Sequence, residues 1–117
     1  MVDNLIKVKS KEFAIRIVKL YQYLGEEKRE HVLSKQLLRS GTSIGANVYE
    51  ALQGQSKADF TSKMSIALKE ASETEYWLEL LWATGYLSDA EYGSIQEDCG
   101  EVARLLTSIV KASRKSK

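Results

Sequence analysis

Apolar residues recur at three- and four-residue steps in four separate stretches of the chain, the spacing that puts side chains on one face of a helix. In the first stretch Phe13, Ile17, Leu20 and Leu24 form a stripe that Ser10 can cap and Gly25 can end. A helix is expected over about 10–25, while residues 1–9 show no clear period. A second group, Ala14, Val18 and Tyr21, widens the apolar arc beyond a single core contact. Leu33, Leu37, Gly41, Ile44, Val48 and Leu52 predict a second helix over about 30–53, and Gly54 suits a left-handed position after its end.

Ser56 and Asp59 make the S-x-x-D pattern of a capping box ahead of Phe60, Met64, Ala67, Ala71, Leu78 and Trp82, which predicts a third helix over 57–84. Its second half, YWLELLW, is apolar nearly all round: Leu78 and Trp82 face one way, Trp77 and Leu81 another. Such a helix is covered on more than one side. Gly85 closes it. Ser88 and Glu91 form a second capping box, with Leu87 and Tyr92 at the positions of a hydrophobic staple. Tyr92, Ile95, Cys99, Val102, Leu106 and Ile109 then follow in 3-4-3-4-3 spacing, a bundle seam over 89–113. Four long amphipathic helices with short connections and no strand-like alternation predict an all-α, antiparallel up-down-up-down four-helix bundle, one domain over 1–117.

Composition narrows the class. A length of 117 residues suits one core, and 44% hydrophobic with 28% charged residues is ordinary for a soluble globular protein. No apolar run approaches the roughly 20 residues that span a bilayer, so no membrane partner is expected. The single cysteine cannot form an internal disulfide, which points to a reducing compartment and the cytoplasm. Net charge is +1, without the strong basic excess of a typical nucleic-acid module. Lys111, Arg114, Lys115 and Lys117 nevertheless gather at the C-terminus, a candidate nucleic-acid contact if several copies come together.

Within the second helix, Gly41 and Gly45 fall mid-helix, where each costs about 1 kcal/mol against alanine. A neighbouring backbone close enough to exclude a side chain would offset that loss. A polar stripe of Gln36, Ser40, Ser43, Asn47 and Glu50 runs beside the apolar face, and Glu75 lies near the apolar face of the third helix. Polar groups at such edges are costly unless hydrogen-bonded. Arg39, Ser43, Asn47, Glu50 and Glu75 are therefore expected to form a polar junction between helices two and three.

Reaction chemistry finds little support. Gly41-Thr42-Ser43-Ile44-Gly45 matches G-x-S-x-G, but that motif needs a strand, an α/β sheet and a histidine base, whereas Ser43 sits in a helical period. One histidine, His31, cannot supply the paired Glu-x-x-His motifs of a di-iron bundle. No phosphate loop or dinucleotide fingerprint is present. Cys99 reads as core filling and His31 as a surface or capping residue. No enzyme activity, cofactor, metal or small-molecule substrate is expected.

Taken together, LSKQLLRSGTSIGANVYEALQGQSKADF and KMSIALKEASETEYWLELL resemble the bacterial four-helix bundle family that includes proteins encoded in intervening sequences of 23S ribosomal RNA genes. The resemblance spans about residues 5–110 and rests on Gln36, Arg39, Ser40, Ser43, Ile44, Asn47, Glu50 and Ala51, then on Phe60, Ala67, Glu75, Trp77 and Leu78. The chain is also similar to the accessory subunit of diversity-generating retroelements, a pentameric barrel that binds its reverse transcriptase and nucleic acid. The resemblance implies a homo-oligomer, a pentamer, with no established catalysis and a role with RNA or a nucleic-acid-processing protein.

The residues themselves also favour an oligomer. One stripe per helix fills the core, and Val18, Tyr21, Trp77 and Leu81 lie off those stripes, leaving apolar surface for an interface between copies. Two function classes follow: an oligomeric module that contacts RNA or a ribonucleoprotein, or a protein scaffold with no nucleic-acid contact.

Overall fold

In the computed structural model, which describes residues 2–115, the chain forms α1 (Val2–Glu26), α2 (Leu33–Leu52), α3 (Lys57–Ala83) and α4 (Asp89–Lys115). Each helix packs on its sequence neighbours, α2 against α3 most extensively, and a sparser α1–α4 contact closes the ring. The result is the expected up-down-up-down bundle, 48 Å along its axis and about 20 Å across. Its core is a continuous column from Ile6, Phe13 and Ile17 through Leu37, Ile44 and Val48, then Met64, Ala71 and Leu78, to Cys99, Val102 and Leu106.

α1 starts well before residue 10. Ile6 lies one heptad ahead of Phe13 and is fully buried, whereas its apolar neighbours Leu5 and Val8 are exposed, so the lead-in carries no single apolar stripe. Ser10 is consequently no cap: it is buried mid-helix and its hydroxyl donates to the Lys7 carbonyl.

The α1–α2 corner is built differently from the expected glycine stop. Gly25 remains helical, and the chain reverses at Arg29, which adopts a left-handed φ of 57°. Glu30 then caps α2. Its carboxylate accepts from the backbone N–H groups of Val32, Leu33 and Ser34 at 3.2, 2.9 and 2.7 Å, and the Ser34 hydroxyl donates to the Glu30 carbonyl. Burial alone would raise the Glu30 pKa, but these donors together hold it below its ordinary value.

At the α2–α3 corner the Ser56 hydroxyl accepts from Asp59 N–H at 3.0 Å. Gly54 is not left-handed; a Cβ there would meet the Asp59 carboxylate oxygen at 2.6 Å, so the missing side chain makes room for that carboxylate. Gly85 has φ 88° and completes a Schellman motif, with Tyr86 N–H donating to the Leu81 carbonyl and Gly85 N–H to that of Trp82. Ser88 and Glu91 form a reciprocal capping box at 2.8 and 3.1 Å.

Candidate nucleic-acid interface

The two mid-helix glycines of α2 face α1. A Cβ at Gly41 would lie 2.8 Å from both γ carbons of Ile17, whereas one at Gly45 would lie 3.4 Å from the Ser10 carbonyl oxygen. Gly41 is thus the tighter of the two. The buried polar contact between α2 and α3 runs through Ser40 and Thr74, whose hydroxyls meet at 2.9 Å with both side chains fully enclosed.

The five residues expected to form that junction are distributed otherwise. Arg39 reaches across to Glu70 and Glu73 at the surface, Glu73 also accepting from the Trp77 indole, and the charge partnership raises the Arg39 pKa and lowers that of Glu73. Glu50 pairs with Lys63 at 2.9 Å. Asn47 donates its amide to the Ser43 carbonyl within α2. Glu75 acts instead on α4: burial and the Glu75 charge raise the pKa of Cys99, and burial with the charges of Glu79 and Glu75 raises that of Tyr92. No single junction joins Asn47 to Glu75: Asn47 bonds within α2, and Glu75, one residue after Thr74, is turned about 100° around α3 from the face that meets Ser40.

The apolar surface also differs from the stripes drawn on a helical wheel. Leu81 is fully buried in the bundle and Trp77 packs against the core, so neither is left over. Trp82 takes the outer place: it is 39% exposed, stacks on Tyr92 with ring centroids 4.4 Å apart, and donates its indole N–H to Asp89. Tyr21 is half-buried. The exposed aliphatic residues concentrate on α1, where Leu5, Val8, Ile15 and Val18 are 38–52% accessible on the side away from Ile6, Phe13 and Ile17.

Ser43 lies within continuous α-helix, without the strand-to-helix turn of a nucleophile elbow. Cys99 is enclosed, donates weakly to the Ala71 carbonyl, and burial pushes its thiol up to about 12. It stays protonated and inert at neutral pH. Among the described residues no cluster of three or more His, Cys, Asp or Glu is placed to hold a metal, and no helix is long and apolar enough to cross a membrane.

Charge gives the clearest feature. Antiparallel helices bring residues 2–14, 43–70 and 102–115 to one end of the bundle and 15–42 with 71–101 to the other. The first end carries ten Lys and Arg against five Asp and Glu, a net +5; the second carries six against eleven, a net −5. The molecule is 48 Å long, several times the roughly 8–10 Å over which salt screens a charge. A polyanion at the basic end is therefore indifferent to the near-zero total.

At that end a groove of about 670 Å³ opens between the start of α3 and the end of α4, lined by Lys57, Lys69 and Arg114 among the hydroxyls of Thr61, Ser62, Ser65 and Ser113. Arg114 of the expected basic tail is thereby joined to two lysines from α3 that sequence order hides. Lys111 and Lys115 flank it on α4, and Lys117 lies outside the described residues.

The 23S rRNA-intervening sequence protein family model matches residues 3–108. Among solved structures, a protein of unknown function from the S23 ribosomal protein family of Bacteroides thetaiotaomicron is 60% identical, with 95% of this chain and 99% of that chain covered and a TM-score of 0.94. No curated protein matches the chain.

Proposed function

Because the chain belongs to the 23S rRNA-intervening sequence protein family, we propose that it is a non-enzymatic, homo-oligomeric helical bundle that binds RNA through its basic end. The sorting of charge into a +5 and a −5 end carries this reading. Phosphate contacts supply most of the affinity of a nucleic-acid module, and they depend on local rather than total charge. The aliphatic row on α1, with Val8 the most exposed at 52%, supports self-association. Copies arranged side by side would merge their basic ends into one rim.

The opposite end favours a second reading, a protein scaffold without nucleic acid. It is acidic, and it displays the Trp82–Tyr92 stack and the exposed ring of Tyr76, the aromatic furniture of a protein interface. A salt titration of binding to a structured RNA separates the two. RNA contact gives an affinity that falls steeply as salt rises, with a slope of about −0.9 per phosphate engaged for duplex and about −0.7 for single strands. A flat response, or no binding, would leave the scaffold.

A further inference from the structure

We propose that the α3–α4 groove is the seat of the RNA phosphodiester backbone, with Lys57, Lys69 and Arg114 as its contacts; this rests on the RNA-binding reading above and locates it. Three cations from two helices converge on one opening, and no carboxylate lines it. The remaining lining suits a sugar-phosphate chain. Hydroxyls can donate to phosphate oxygens or accept from a ribose 2′-OH, and Ile66, 39% exposed within the groove, offers an apolar surface. The Arg114 guanidinium reaches across to the Ser65 hydroxyl at 3.4 Å, a long contact readily exchanged for a phosphate oxygen.

Three other openings lack this combination. The groove between α1 and α4 includes Glu91, and a small cleft beside it sets Lys9 against Glu12, Asp98 and Glu101. The α1–α2 groove has Lys7 and Lys11 without acids but is smaller, about 280 Å³.

The test uses a fluorescently labelled RNA hairpin and the full-length protein, with anisotropy read between 50 and 200 mM salt. The triple variant Lys57→Gln/Lys69→Gln/Arg114→Gln is compared with Lys19→Gln/Lys28→Gln/Lys35→Gln, which removes equal charge from the acidic end. The groove variant should bind more weakly, with a log–log salt slope shallower by about two to three, while the control keeps the wild-type slope. Equal slopes for wild type and groove variant would overturn the groove and leave RNA binding intact; no salt-dependent binding by wild type would overturn both. Displacement of the hairpin by phosphatidylserine vesicles would overturn RNA as the occupant. Helicity by circular dichroism checks folding, and if the triple variant is not folded, Lys69→Gln alone decides, with a slope shallower by about one.

Discussion

Thr74 Oγ1 lies 2.9 Å from Ser40 Oγ, joining α3 to α2 by a hydrogen bond from which water is excluded. Each hydroxyl also has a carbonyl of its own helix in reach, Glu70 for Thr74 and Leu37 for Ser40. Removing either hydroxyl forfeits the bond between them, worth about 0.5–1.5 kcal/mol, while the remaining one keeps its helix carbonyl, and removing both forfeits that bond only once. Ser40→Ala and Thr74→Val should therefore destabilise singly by more than half of what the pair costs together. A double-mutant cycle in urea measures it, and strict additivity would refute the coupling.

The two glycines of α2 should respond to alanine with opposite signs. At Gly41 the new methyl would meet Ile17 at 2.8 Å, so the α1–α2 contact must open, and overpacking of this kind costs about 1–3 kcal/mol. At Gly45 the nearest atom would be 3.4 Å away, an ordinary contact, and the helix gains up to about 1 kcal/mol from alanine's propensity. Thermal melts of Gly41→Ala and Gly45→Ala should shift down and up respectively. Equal shifts would show that the close approach is no tighter at one glycine than at the other.

Glu30 links stability to pH. Its folded pKa lies below the ordinary carboxylate value because three backbone N–H groups favour the charged form. Its contribution is thus complete above the unfolded pKa and is lost as pH falls through the folded one. Glu30→Gln should lower stability at pH 7 by about 1 kcal/mol, the size of a lost cap, and the gap from wild type should narrow as the solution is acidified below about 4.5. Urea midpoints at pH 7 and in acid test this, and a constant gap would remove Glu30 as the titrating cap.

The α1 row predicts association. Val8→Asp with Ile15→Asp places charge on a face already open to solvent in the single chain, so helicity should persist while the assembled mass falls. Light scattering at micromolar concentration reads the outcome. A wild-type mass of one chain, or an unchanged assembly in the variant, would exclude this face as the interface.

Local signals made much of the fold legible. Ser88 with Glu91 and the lone positive-φ Gly85 specify a stop and a start within a few residues, since each acts through its own backbone. Glu30 gives no such local signal, because a glutamate is an uncommon cap and acts here across a turn that needs Arg29 in a left-handed conformation. In YWLELLW every direction is apolar, so a helical wheel had no polar side to exclude, and Leu81 and Trp82 changed places between core and surface. Ser40, not Asn47, faces α3, a difference fixed by how α2 rolls against its neighbours rather than by its own periodicity. Lys57 and Arg114 meet only when the antiparallel order is known.

The separation of charge also constrains how copies can be ordered. Subunits laid parallel set basic end beside basic end and acidic beside acidic, so self-association works against repulsion at both; an antiparallel pair would set opposite ends together and hide the basic surface. RNA spanning the basic ends would relieve the repulsion of a parallel assembly. Binding and association then become linked equilibria, each strengthening the other by the same factor, and a chain with almost no net charge would have its assembly governed by a polyanion.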